Sequence, residues 1–578
     1  MLLTECGLVL ACLLLAFLLP KVGASFFSPI ERSLANLARR RHLSVLVVGA
    51  TALALRTAVL PILPIPYPGV HDEFSYQLMA DTFAHGRLTN PTHPLWIHFE
   101  NVSVIHQPTY CSVYYPAQGF FMAFGQLITG HSFWGVWLSV GLMCAVICWM
   151  LQGWVAPYWA LIGGLLAAVR IATFSYWANS YFGGAVAALG GALILGALPR
   201  IKRRPSVTDA LLMGLGFAIL VNSRPFETVF FGVPVIVVLA YWIFRNDENR
   251  RTILLRTALP LALVLTVTAG VLLYYFWRTT GNPFLPAYVV NLRRYTVEPS
   301  FPWLPLRPIP QYHHEILRRY FLGYNLSMYQ LAHAHPIFSI IIKVLMLWFF
   351  FLGPLLTLPF LGLGFVLPYN MSFKDVSRKT RLLLIVCGST LFAVLLPVYA
   401  NPHYAAPITA ALYALLMIAF QRIRHWRFRG KPSGLVLIRA TLAGAVALLL
   451  LRVALPVFHL PIVNSNKPET WCSPWYQLLP RAAVEQKLQV ESGKQLVLVH
   501  YSPEHNPTED WAWVNNDADI DRSKIVWAHD MGAQNEELLR CFASRHVWLL
   551  EPDQDPIHLA PCDAACTTAL ATGHEVAK

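Results

Sequence analysis

The sequence predicts an all-α polytopic membrane bundle of about 12 transmembrane helices, with outer interfacial helices and a small C-terminal α/β extramembrane domain. Three observations carry this. Apolar runs of about 17 to 23 residues recur along most of the chain, each long enough to cross a bilayer. Charged residues make up only 13% of 578, where a soluble protein carries roughly 25%, and mean hydropathy is +0.50. The net charge of +14 also divides into opposites: residues 1–457 hold 35 Lys and Arg against 13 Asp and Glu, while 458–578 hold 9 against 17. Most of the basic charge lies in short loops between apolar runs, which marks the cytoplasmic side of a membrane and not a nucleic-acid surface.

The first apolar run, 2–19, has the length of a signal peptide. Lys21 and Arg39-Arg40-Arg41 follow it instead of preceding it, so the positive-inside rule makes it a retained helix with its N-terminus outside. The run 43–63 then leads outward and is ended by Pro61, Pro64, Pro66 and Pro68. A large outer loop, 64–133, carries Asp72, Glu73, Asp81 and Glu100 against a lone Arg87. Its second half, 110–128, is dense in Tyr and Phe and reads as a helix lying in the membrane interface. Spans follow at 134–151, 157–173, 181–198, 208–222, 226–244 and 254–276, with the basic segments 200–204 and 245–256 inside. A second large outer loop covers 277–335. The stretch 336–368 has no clear break and counts as one crossing with an interfacial first half. Spans at 382–398, 403–420 and 435–457 complete the count and leave both termini outside.

The tail, 458–578, is a different material. Three short apolar runs, 495–501, 524–527 and 546–550, read as buried strands, with helices at 482–490 and 534–542 between them. The ten cysteines show no zinc-type spacing. Cys144 and Cys148, one helical turn apart, read as packing residues, while Cys472, Cys541, Cys562 and Cys566 of an exported tail are able to pair.

The chain is organised around His71-Asp72-Glu73-Phe74-Ser75-Tyr76, just past the second apolar run. Two carboxylates stand side by side where no packed core requires them. Residues 73–85 read as a short amphipathic helix with Asp72 at its N-cap and Glu73 in its first turn. The plain reading is a cap and a dipole partner; the functional one is a general base at a membrane surface. Arginines on the outer side supply the complementary charge. Arg224 lies in a tight outer turn, and Arg278, Arg293, Arg294, Arg307, Arg318 and Arg319 fall in the second outer loop, which has no lysine. Guanidinium groups suit bidentate phosphate binding, although paired arginines also suit lipid headgroups.

These residues, in this order, resemble the GT-C glycosyltransferases, in particular the protein O-mannosyltransferase and lipid A aminoarabinose transferase branch. The matching segments are Asp72-Glu73 with Tyr76, the run from His106-Gln107-Pro108 to Tyr115-Pro116, Ser223-Arg224-Pro225, Thr279-Thr280-Gly281-Asn282-Pro283, and Asn401-Pro402-His403-Tyr404-Ala405-Ala406-Pro407. The resemblance covers roughly residues 35–420. It implies a glycosyltransferase that moves a hexose or pentose from a polyprenyl-phosphate donor to an acceptor hydroxyl on the outer face. The acceptor is a lipid, glycan or protein, and the configuration inverts with Asp72 as base. Membrane lipid is the expected surroundings, the placement of basic charge in short loops speaks against a nucleic-acid partner, and the absence of an ER-retrieval tail favours a bacterial inner membrane as the expected location. His403 stands where relatives often carry a basic residue, and Asn179 stands where they commonly carry a second Asp.

The chemistry supports this independently. A sugar phosphodiester already has a good leaving group, so one carboxylate to deprotonate the acceptor and cations to hold the phosphate suffice. No cofactor is required for certain, and a divalent metal stays open: His93, His98, Glu100 and His106 are potential zinc ligands, though their spacing fits no standard pattern. The competing function is a transporter or flippase of lipid-linked glycans. Such proteins usually show internal repeats and charges near mid-membrane, whereas this chain has no repeat and concentrates its charges in outer loops. A scaffold whose acidic tail recruits partners is the third reading for 458–578.

Overall fold

The computed structural model of the chain describes residues 1–19, 24–246, 250–367, 373–458, 470–472, 479–507 and 513–562. The chain is mostly helical and divides into two compact units. The first comprises Met1–Pro66, Phe133–Ala269 and Ile337–Trp475; the second comprises Tyr67–Ser132, Gly270–Pro336 and Tyr476–Lys578.

Among the described residues, six helices are long and apolar enough to cross a membrane: Phe133–Leu151, Gly184–Arg203, Pro225–Arg245, Arg250–Thr280, Ala406–Ile423 and Ser433–Val457. A pair bent by 110°, Glu315–Ala334 and Pro336–Phe351, makes a seventh if it is one span. The expected spans at 2–19, 157–173 and 208–222 are the shorter apolar helices Leu2–Leu18, Pro157–Ile171 and Val207–Val221. Those at 43–63 and 382–398 are Arg41–Ala58 and Arg378–Leu395, which carry arginines within their length.

Two buried arginines of this helical unit have partners of the kind that burial in apolar surroundings favours. Arg170 meets Glu5 at 3.1 Å with both side chains at most 3% exposed. It also donates to the Phe349 carbonyl at 2.8 Å and lies over the Trp471 ring. Arg56 donates to the carbonyls of Leu63, Pro64 and Ala178, tying off the chain where its helix ends. The stretch 336–368 is broken, contrary to expectation, into Pro336–Phe351 and Gly353–Leu363. The reason is tertiary. Gly353 has φ +58, and a β-carbon there would lie 2.4 Å from Glu5 Oε2 and 2.7 Å from Arg170 Nη2.

The second unit holds a mixed sheet. Its strands are β3 (Gln495–Val499), β4 (Ile525–His529), β5 (His546–Glu551) and β6 (His558–Pro561), preceded in the chain by the short antiparallel pair β1 (Val104–Ile105) and β2 (Cys111–Ser112). The sheet order is β4-β3-β5-β6, with the first three parallel and β6 antiparallel to β5. Every residue of β3 and β4 is buried, as expected of parallel strands covered on both faces. On one face Leu496, Leu498, Val526 and Ala528 pack with Leu78, Phe99, Val104 and Tyr110 of the first long loop. On the other, Val497, Val499 and Trp527 pack with Val484, Leu488 and Trp513. The three expected strands are present, and β6 is an addition. The expected helix over 110–128 begins only at Ala117, because Tyr110 and Cys111 are drawn into backbone pairing with Asn90 and β1. Cys472 and Cys541 are free thiols, Cys562 is disulfide-bonded, and Cys566 lies outside the described residues.

Candidate active site

The helix His71–Ala84 positions the carboxylate pair. Its N-cap is Val70, which makes no side-chain capping bond, so Asp72 lies inside the first turn and is not the cap. Glu73 is 3% exposed, and its Oε2 accepts from the Gly69 N–H at 2.8 Å. Glu73 therefore belongs to the packed interior, against the expectation that no core involves the pair. Asp72 is half-buried and otherwise engaged. Ser103 Oγ donates to Asp72 Oδ1 at 2.8 Å, and the Tyr114 hydroxyl also hydrogen-bonds this carboxylate.

The local sequence explains the arrangement. Ser75 Oγ donates to the Ser103 carbonyl at 2.6 Å and shares a 2.7 Å bond with Ser112 Oγ, while Val104 pairs with Ser112 in the short sheet. Tyr76, one helical turn beyond Asp72, stacks on Tyr114 with ring centroids 4.5 Å apart. Burial, followed by the Asp72 charge, holds the Tyr114 phenol well above its ordinary pKa, so the phenol remains a donor. Neighbouring His71 is pushed down to about 4 by burial, which keeps it neutral, and its ring meets Tyr320 edge-on. The result is a half-buried carboxylate in the first turn of a helix, oriented by two hydroxyls. Ser103 and Tyr114 were not singled out as partners of Asp72 in the sequence; only the density of aromatics around Tyr114 pointed there.

The arginines of the second long loop, 277–335, are dispersed over this unit. Arg294 donates to Gln107 Oε1 at 3.3 Å and lies over Trp96, so it faces the first loop. Arg293, next to it on the helix Ala287–Tyr295, is exposed. Arg278 is exposed beside Tyr274. Arg318 and Arg319 share the Glu315 carboxylate, at 2.7 and 3.1 Å. Arg307 is bound to the Leu292 carbonyl and Thr296. Glu100 is fully buried and receives the Tyr295 hydroxyl and His313 Nδ1, the latter at 2.9 Å. It therefore ties the two long loops, 64–133 and 277–335, together. Among the described residues no group of three or more His, Cys, Asp or Glu is placed to hold a metal ion.

In the helical unit, Arg224 is the N-cap of Pro225–Arg245, and its guanidinium lies 4.1 Å over the Tyr404 ring. His403 is buried, hydrogen-bonded to Tyr176 through both Nδ1 (2.8 Å) and its backbone N–H (2.9 Å), and stacked on Phe182. It is a satisfied core histidine that supports the turn carrying Tyr404. Asn179 is buried as well, and its Nδ2 binds the carbonyls of Thr173 and Ser175 within its own turn.

No family model and no curated protein matches the chain. Solved structures similar to it include the archaeal oligosaccharyltransferase AglB from Archaeoglobus fulgidus, in complex with an inhibitory peptide and a dolichol-phosphate. That match has 13% identity, covers 80% of this chain and 62% of that one, and has a TM-score of 0.40. They also include ArnT from Cupriavidus metallidurans in the apo state, at 12% identity over 86% of this chain and 92% of that one, with a TM-score of 0.47. ArnT bound to undecaprenyl phosphate matches at 15% identity over 72% and 71%, with a TM-score of 0.38. The chain thus spans 62% of the length of the oligosaccharyltransferase it matches.

Proposed function

We propose that the protein is an integral membrane glycosyltransferase that moves a hexose or pentose from a polyprenyl-phosphate donor to an acceptor hydroxyl, with Asp72 as general base. One observation supports the reading: of two adjacent carboxylates, Glu73 is buried and accepts from the Gly69 N–H, while Asp72 is half-buried and held by Ser103 and Tyr114. In the proposed step Asp72 takes the acceptor proton as the acceptor oxygen attacks the anomeric carbon. The bond from that carbon to the phosphate oxygen breaks, and the polyprenyl phosphate leaves with the electron pair. A single displacement of this kind inverts the anomeric centre. Tyr114 and Ser103 keep the carboxylate oriented. Arg224 is assigned to the donor phosphate, a role its guanidinium suits, and it lies over the Tyr404 ring. The proposal includes twelve crossings in a bacterial inner membrane with both termini outside.

Asp72→Asn tests this. Asn retains an acceptor for Ser103 and costs the fold less than about 1 kcal/mol, but it cannot take a proton. Transfer from radiolabelled polyprenyl-phosphate sugars in proteoliposomes should fall about 10²-fold or more. Normal transfer by a variant with unchanged melting temperature would sink the assignment.

A further inference from the structure

Outside the Asp72 region, the loop-and-tail unit contains a cavity of about 470 Å³ at the carboxyl ends of β3 and β4. Crevices beyond the carboxyl ends of parallel strands are the habitual ligand sites of open α/β sheets. The lining includes Arg319 and His314 from the second outer loop and His500, Tyr501, His529 and Asp530 from the tail. One wall is a set of rings: His314 stacks on His529 at 4.0 Å, and Tyr501 lies 5.9 Å from His529.

The polar groups are oriented by second partners. His500 Nδ1 is fixed on Asp530 Oδ2 at 2.7 Å, which leaves the Nε2 edge of this half-exposed ring for a ligand. Asp530 itself is anchored by the Gly532 N–H at 3.0 Å and by Asn535. Arg319 is held through Nε by Glu315, which leaves its terminal nitrogens. The hydrogen bond to Asp530 makes His500 more basic than a free imidazole. The lining thus combines an aromatic wall for the C–H face of a pyranose, carboxylates for hydroxyls, and the Arg319 guanidinium and the His500 imidazole edge for a negative group.

We propose that this cavity is a docking subsite for a saccharide that carries an anionic group, either a carboxylate or a phosphate. It is a holding site and not the reacting one. The cavity that shares Tyr501 and His529 and runs on to His71, next to Asp72, has a volume of only about 20 Å³, too little for a sugar ring. Binding here stands whether or not Asp72 transfers a sugar.

The test is equilibrium binding to the full-length protein in detergent, followed by calorimetry or saturation-transfer NMR. The probes are glucuronate, glucose 6-phosphate, glucose and inorganic phosphate. Both anionic sugars should bind saturably, and glucose and inorganic phosphate about 10-fold or more weaker. His500→Gln should weaken the anionic sugars by about the same factor at unchanged melting temperature, and Tyr501→Leu, which leaves the His500–Asp530 pair in place, should weaken all sugars. Glucose binding as tightly as glucuronate, or phosphate as tightly as the sugar phosphate, would overturn the assignment. So would unaltered binding in a folded variant of either residue, or no saturable binding of either anionic sugar.

Discussion

The two units treat polar side chains in opposite ways. In the helical unit a charge is neutralised on the spot: Glu5 by Arg170, and Arg56 by three carbonyls. In the loop-and-tail unit polar groups are oriented but left with unused capacity, as Asp72 is by Ser103 and as His500 is by Asp530. Low-dielectric surroundings make an uncompensated charge expensive, so a bundle cannot keep spare ones. Loops over a soluble-type sheet can, which is why the candidate chemistry gathers there.

The largest effect should come from breaking a pair in the bundle. Arg170→Met strands Glu5 in the interior and should cost about 3–5 kcal/mol, while the double variant Glu5→Leu with Arg170→Met should regain most of it. Melting in detergent reads both; a single variant as stable as the parent would show that the bundle does not depend on the pair. Arg224 is the informative exception, because its guanidinium rests on an aromatic face. Arg224→Ala should raise the donor KM about 10-fold or more with little change in melting, and unaltered donor kinetics would return Arg224 to a structural role.

Acid should separate the units next. Burial lowers the His71 pKa to about 4 and the His106 pKa to about 3, against about 6.5 for an unfolded histidine. Below about 6.5 the unfolded chain takes up protons that the folded one refuses, so stability falls as pH drops. The loss should be on the order of 1 kcal/mol per histidine at pH 5.5. His500, raised by Asp530, contributes in the opposite direction. Hydrogen exchange of the β3 and β4 amides should therefore accelerate at pH 5.5 beyond the intrinsic correction, and equal protection at both pH values would refute the burial argument. The smallest effect belongs to Glu73→Gln. The amide oxygen can still accept from Gly69, so stability should shift by less than about 1 kcal/mol and transfer only a few-fold. A loss as large as that of Asp72→Asn would erase the distinction between the neighbours.

Much of this was legible from local composition. The apolar runs, the basic short loops and the continuous apolar strands of the tail are short-range patterns, and the helix and strand periods follow from them directly. The Asp72-Glu73 pair stood out for the same reason, but which of the two is spent on the backbone did not. That difference depends on Ser103 and Tyr114, which lie in a different part of the loop and reach Asp72 only once β1 and β2 pair.

Local sequence pattern was enough for a membrane chain with an acidic α/β tail, two long loops between apolar runs and an acidic pair at the head of the first. These follow from how residues partition between water, lipid and a sheet core. Tertiary packing alone brings the first loop onto one face of the tail's sheet, sets Gly353 at a helix break against the Glu5–Arg170 pair, and gathers His314 and Arg319 with His500, Tyr501 and His529 around one cavity. Contacts between residues hundreds of positions apart are set by how buried surfaces fit together, and no local period records them.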